Sequence, residues 1–254
     1  MEKNIFIFLI CNLMTMCVFG QTNNNEQLVH PAEPELIEVR GGTFRMGCRD
    51  YDGFPWEYPV HKVTVNSFKI AKYEVTQKQW LSIMGTNPSR FKGDDLPVEN
   101  VSWLDVQEFI FKLNEITGKN YRLPTESEWE YAARGGKKSK NYKYSGSNKI
   151  DDVAWYVKNS DGKTHLVGSK KPNELGIYDM CGNVAEWCND EYEDYYGVSI
   201  SMEELLGWAE QEGVFRILRG GKWDSESQFC RVSFRGRTPQ DFKSDGLGFR
   251  LVLP

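Results

Sequence analysis

Arg219-Gly220-Gly221-Lys222-Trp223, followed by Cys230-Arg231 and then Leu247-Gly248-Phe249-Arg250-Leu251, is the stretch that decides the fold. A glycine pair before an aromatic marks a place where the backbone turns tightly or another segment approaches closely. Polar residues then lead to one cysteine and three arginines, Arg231, Arg235 and Arg237, before an apolar closing strand. Irregular loop held between short strands is the pattern this end of the chain spells.

Working back to the start, the first twenty residues read as a secretory leader. Lys3 supplies the positive end, Ile5 to Ile10 begin an apolar run, and Val18-Phe19-Gly20 offers a cleavage site, so the mature chain is expected to begin at Gln21. Cys17 follows Met16 rather than a small residue, so lipid anchoring is not expected. The remainder, about 230 residues, is one domain's worth of chain. No later stretch is long and apolar enough for a transmembrane helix. The expected location is therefore periplasmic or extracellular.

A net charge of -5 with mixed signs argues against nucleic acid, since no Lys/Arg run is long enough to track phosphates. The Lys137-Lys138-Ser139-Lys140 cluster sits in polar sequence and reads as a solvated loop. Export places Cys48, Cys181, Cys188 and Cys230 where disulfides form, with three pairings open. The three histidines, His30, His61 and His165, are scattered and make a poor zinc set.

Residues Gln21 to Glu35 read as a flexible lead-in, and the domain as 36–254. Leu36 to Met46 reads as a strand broken at Gly41-Gly42, with more strand across Val60 to Val65. Thr76-x-x-Gln79 spells a capping box, with Trp80, Ile83 and Met84 on one helical face behind it. Ser102 and Asp105 open a second helix, whose Val106, Phe109, Ile110, Leu113 and Ile116 predict one buried stripe ending at Gly118. In Tyr121-Arg122-Leu123-Pro124-Thr125-Glu126-Ser127-Glu128-Trp129, Thr125 caps a short helix with Glu128 as its reciprocal partner. Glu126, Glu128 and Glu130 are explained there by the helix dipole. Ser201 to Trp208 has the spelling of one more capped helix.

Tyr178-Asp179-Met180-Cys181-Gly182-Asn183-Val184-Ala185-Glu186-Trp187-Cys188 packs oxygen donors into a tight turn. Two carboxylates and the carbonyls of a glycine turn can surround a hard cation such as calcium. The same carboxylates can instead bond nearby N–H groups without metal.

The closing stretch, the Arg122-to-Trp129 spelling and the Gly182 turn together resemble the formylglycine-generating enzyme, or sulfatase-modifying factor, family from about Leu36 to Pro254. The resemblance implies an α+β fold: a loop-rich variant of the C-type lectin fold with short strands and a few helices. It implies a structural calcium held by Asp179, Gly182, Val184 and Glu186, two of them through backbone carbonyls. In the active enzymes, two cysteines of the closing loop bind copper and oxidise a cysteine of a client sulfatase. Here Cys230 matches the second and Ser225 stands at the first.

A hydroxyl does not replace a thiolate toward copper(I), so Cys230 is the one candidate catalytic residue and copper is not expected. Arg231 and Arg235 are positioned in sequence to lower the Cys230 pKa, which still leaves a single thiol. The same loop presents Trp223, Asp224, Ser225, Glu226, Ser227 and Gln228 as ligand-facing residues. The favoured expectation is a non-catalytic or altered member that binds a protein or glycan in the bacterial envelope. The alternative is an oxidase that makes formylglycine in sulfatases.

Overall fold

Three helix starts are written as a hydroxyl residue followed three positions later by Gln, Asp or Glu, and all three form reciprocal caps. They open α1 (Gln77–Met84), α2 (Trp103–Thr117) and α3 (Glu126–Ala133). At α2, Asp105 N–H donates to Ser102 Oγ (3.1 Å) and Ser102 N–H to Asp105 Oδ2 (2.8 Å). Each such cap satisfies backbone donors that a helix end leaves orphaned, worth about 1 kcal/mol. The short α4 (Ile150–Val153) completes the α-helices among the described residues. This computed structural model describes residues 30–49, 53–193 and 214–254. The expected leader and the helix spelled by Ser201 to Trp208 lie outside them.

The strands are short and fall into three groups. β1 (Leu36–Val39), β4 (Phe68–Ala71) and β9 (Val252–Leu253) form an antiparallel sheet in the order β1-β4-β9. β2 (Gly42–Met46) and β3 (His61–Val65) pair as a ribbon. β5 (Ala185–Glu191), β6 (Phe215–Arg219), β7 (Arg235–Pro239) and β8 (Leu247–Gly248) form a sheet in the order β7-β6-β5-β8, mixed because β5 and β8 run parallel. The break between β1 and β2 has a steric cause. A Cβ on Gly41 would lie 2.5 Å from Val65 O, so only glycine fits against the β3 backbone.

Two apolar clusters fill the space between these elements. One gathers α3, the β1 and β4 interior and Cys181, Cys188 and Cys230. The other packs α1 and α2 against Trp187 and Phe249, with the Trp80 and Phe109 rings stacked 5.2 Å apart. Val106, Phe109, Ile110 and Leu113 of α2 are buried as the spacing predicts, but Ile116 is 54% exposed. The stripe stops one turn early because α2 outruns the core. Gly118, at φ 66°, then turns the chain back toward Tyr121.

The expected flexibility of the lead-in does not extend to its described part, residues 30–35. Ala32 is buried in the second cluster, and Tyr121 Oη donates to Glu33 Oε2 at 2.9 Å. Composition hid this because the segment contributes anchors to a core built elsewhere, rather than apolar surface of its own.

Candidate functional site

Four arginines of the closing stretch, Arg219, Arg231, Arg235 and Arg250, are buried, and each meets a carboxylate far away in sequence. Arg231 reaches Glu57 (2.6 and 2.8 Å), Arg235 reaches Glu126 (2.7 and 2.8 Å), and Arg250 reaches Glu186 (2.6 and 2.7 Å). Arg219 pairs with Glu130, which also accepts from Arg134 Nε at 2.8 Å. The acidic residues of α3 therefore do more than complement its dipole: Glu126 and Glu130 neutralise guanidinium groups, and Glu128 holds Arg122 at 2.7 Å. A buried charge is tolerated only when paired and hydrogen-bonded, and here every one of these arginines is. The pairs fix both ends of the loop between β6 and β7.

That loop begins with Gly220 (φ 92°) and Gly221 (φ 73°). Lys222 N–H donates to Ser225 Oγ (3.0 Å), Ser225 N–H to Lys222 O (2.9 Å), and Val157 N–H to Ser225 O (3.1 Å). Trp223 turns away: its indole N–H donates to Asp245 O (3.0 Å) and its ring meets Phe91 edge-on. A 3-10 turn, Ser227–Cys230, follows.

Beside the loop lies a cavity of about 390 Å³. Ala185, Leu218, Phe229, Phe234 and Leu247 supply its apolar lining, and Lys222, Asp224, Ser225, Glu226 and Arg237 its polar lining. Of the residues expected to face a ligand, Asp224, Ser225 and Glu226 line this cavity; Trp223, Ser227 and Gln228 do not.

Cys230 does not line it either. It is fully buried, and its Sγ lies 2.9 Å from where a Cβ on Gly221 would stand, so the thiol sits beneath the glycine at the cavity wall. Burial pushes its pKa well up, with further upward contributions from Cys181, Asp224 and Glu226. Arg231 and Arg235 do not counter this, because their guanidinium groups are turned to Glu57 and Glu126. Burial likewise raises the Cys181 thiol to about 12 and the Cys188 thiol well above its ordinary value. Cys48, Cys181, Cys188 and Cys230 are all buried, and no disulfide joins any two of them, contrary to expectation. Cys48 Sγ instead accepts from Arg231 Nη1 at 3.4 Å.

The Gly182 turn lies next to this loop. Gly182 N–H donates to Gly220 O (2.9 Å) and Trp223 N–H to Asn183 O (2.9 Å). Gly182 itself (φ 75°) has no room for a side chain, because a Cβ would strike Trp155 O. Three buried carboxylates gather around the turn. Glu186 accepts Trp129 Nε1–H (2.7 Å) as well as its Arg250 bonds. Glu74 accepts Asn183 Nδ2–H (2.7 Å) and Val184 N–H (3.2 Å), and Asp179 Oδ2 accepts Gly168 N–H (2.6 Å). Burial pushes Asp179 up to about 6, and burial followed by the Asp179 and Glu186 charges pushes Glu74 well above its ordinary range.

Asp179 and Glu74 are buried hard-oxygen donors of the kind a divalent cation takes, and the Gly182 and Val184 carbonyls belong to the same turn. Glu186 would join only by sharing the oxygens that hold Arg250. Among the described residues, no group of three or more His, Cys, Asp or Glu side chains is arranged for a metal ion. Any site here is therefore a mixed one of carboxylate and carbonyl. Glu74 and Arg250 escaped sequence reasoning. An arginine inside the apolar Leu247-to-Leu251 stretch was the available signal, but its partner lies 64 residues away.

Short strands, capped helices and long pinned loops define a C-type-lectin-like domain. Residues 21–254 match the sulfatase-modifying factor enzyme 1-like domain, and the chain belongs to that family. It is similar to chaperone protein LppX of Paenibacillus barcinonensis, 37% identical over 98% of this chain and 96% of that protein. Among solved structures it resembles Treponema denticola variable protein 1 (TM-score 0.74, 30% identity, covering 86% of this chain and 94% of the other). The formylglycine-generating enzyme of Streptomyces coelicolor is 28% identical over 84% of this chain and 87% of its own length. The inactive Cα-formylglycine-generating enzyme 2 of Bos taurus is 27% identical over 85% and 86%. Overall likeness thus does not separate catalysis from its loss, and the site has to.

Proposed function

We propose that this chain is a non-catalytic member of the sulfatase-modifying-factor family, exported, that binds a polypeptide in the cell envelope through the cavity beside Ser225. One observation carries the reading: a hydroxyl stands at the cavity lip where the active enzymes have their first thiol, while Cys230 is buried behind Gly221. Copper(I) needs two thiolates close together, and neither a serine nor a thiol with a strongly raised pKa supplies one. An apolar cavity with a few polar groups on its lip is what remains, and such sites bind by burying apolar surface. The chaperone name of LppX supports a polypeptide rather than a glycan as the ligand. Calcium at the Asp179-to-Glu186 turn is part of this proposal and serves stability, since the turn is packed against the loop that frames the cavity.

The test is copper(I) titration of the reduced protein, followed by mass spectrometry of a sulfatase-motif peptide incubated with it. The expected result is no stoichiometric copper binding and no loss of the peptide thiol. Conversion of the peptide cysteine to the aldehyde would establish the oxidase instead.

A further inference from the structure

The rim of the cavity is unequal in charge. Lys222 Nζ is held by Asp224 Oδ2 at 3.0 Å, so its charge is locally matched. The Arg237 guanidinium lies over the rings of Tyr192 and Phe215, 4.7 and 5.0 Å from their centroids. Glu226 is exposed and enters no ion pair among the described residues. Glu226 is therefore the exposed rim carboxylate left for a ligand's cation to meet. Cys230 registers the same field, since Asp224 and Glu226 both push its thiol upward from outside the core.

Resting on the polypeptide reading of the cavity and deepening it, we propose that the cavity takes one bulky apolar side chain, aromatic or branched aliphatic, from an extended polypeptide that carries a Lys or Arg next to it. The apolar side chain fills the space between Leu218, Phe229, Phe234 and Leu247. The neighbouring cation lies against Glu226. The apolar contact supplies most of the affinity, and the exposed Glu226 carboxylate supplies selectivity and a dependence on salt. A segment with Asp or Glu in that position meets like charge and is rejected.

The test pans random displayed peptides against the purified chain. It then measures fluorescence anisotropy with three synthetic probes, Gly-Ser-Phe-Lys-Ser-Gly, Gly-Ser-Phe-Glu-Ser-Gly and Gly-Ser-Ala-Lys-Ser-Gly. The expected selection pairs an apolar residue with Lys or Arg, and the Phe-Lys probe binds about tenfold or more tighter than either other probe. E226Q should cut that preference several-fold, weakening the Phe-Lys probe and relieving the rejection of the Phe-Glu probe. Gly236→Val should abolish binding of all three, because strand β7 has room there: the nearest atoms to a Cβ, Phe234 Cε1 and Leu218 Cβ, are 3.6 and 3.7 Å away. Cavity-dependent binding that ignores the neighbouring charge and salt overturns this inference and leaves the polypeptide reading standing. No selected peptide, or peptides indifferent to Gly236→Val, overturns both. Saccharide-array binding that Gly236→Val blocks, with no peptide selected, replaces both with a glycan site.

Discussion

Arg250 and Glu186 meet through two parallel hydrogen bonds of 2.6 and 2.7 Å, fully out of solvent, with Trp129 donating to the same carboxylate. Arg250 also donates to Ala71 O (3.1 Å) and Tyr178 O (2.9 Å), so one side chain ties β4, the approach to the Gly182 turn, and β5. Removing one partner strands a buried charge, which typically costs about 3–5 kcal/mol. Arg250→Met is expected to destabilise by about that much in urea unfolding. Adding Glu186→Leu should recover part of the loss, and a strictly additive double variant would show the pair to be uncoupled.

Glu99 gives a pH dependence whose sign is fixed. Its Oε1 accepts Phe91 N–H (2.9 Å), its Oε2 is buried without a partner, and burial pushes its pKa up to about 7. Asp245 adds to the rise and Lys92 opposes it. A raised carboxyl is protonated in the folded state over a range where the unfolded chain has already released the proton. The contribution is thus fully present below the unfolded value near 4.5 and is lost as pH rises toward 7. Glu99→Gln should flatten stability between those values and gain on the order of 2 kcal/mol over the natural chain at pH 8. Chemical denaturation at several pH values measures it; parallel curves for the two proteins would refute the assignment.

Calcium at the Gly182 turn is tested by melting with and without chelator. A ligand that binds only the folded chain at a hundredfold excess over its Kd stabilises it by about 2.7 kcal/mol. Glu186 is a poor probe because replacing it also releases Arg250. Asp179 sits at φ 55°, which glycine adopts without strain, so Asp179→Gly removes the oxygens and the bond from Gly168 N–H while leaving the backbone unstrained. The expected outcome is a calcium-dependent rise in Tm that Asp179→Gly abolishes. Superimposed curves for metal-free and calcium-loaded protein would leave the turn held by hydrogen bonds alone.

The thiols should be silent in the native state. Cys181, Cys188 and Cys230 are buried, with pKa values raised by desolvation, and thiolate is the reactive form. Iodoacetamide at mildly alkaline pH, read by peptide mass spectrometry, should label these three only after denaturation. Rapid native labelling of Cys230 would show that the cavity communicates with it.

Leu113 and Ile116 stand one turn apart on α2 with opposite fates. Leu113→Ala is expected to cost about 2–5 kcal/mol and Ile116→Lys less than about 0.5 kcal/mol, measured by urea denaturation. Similar costs at both positions would mean that Ile116 is covered in solution.

That contrast shows where sequence reading reaches and where it stops. Caps, glycine turns and the α2 stripe depend on residues three or four apart, and these are legible at Thr76, Ser102, Thr125 and Gly118. Whether Ile116 is covered depends on how far the rest of the fold extends, which no local period encodes. The buried ion pairs stay hidden for the same reason: Arg231 and Glu57 are 174 residues apart, and each alone looks like a surface residue. At the candidate site, Asp224, Ser225 and Glu226 stand out from loop composition. Phe229, Phe234 and Leu218, which form its floor, do not, because an apolar residue in a strand or turn reads as core until the space beside it is seen.

The strand order β1-β4-β9 also constrains the chain in time. Ribosomes emit β1 and β4 early, but the third strand of their sheet lies at Val252–Leu253, where Ile70 pairs with Val252 and Lys69 with Leu253. The nascent polypeptide therefore carries an unfinished sheet edge until residues 252–253 emerge, and Glu186 waits through 64 residues of elongation for the Arg250 guanidinium. The domain cannot close this sheet before its final strand is made, and a chain truncated ahead of β9 should be a substrate for proteases and holdases rather than a partly working protein.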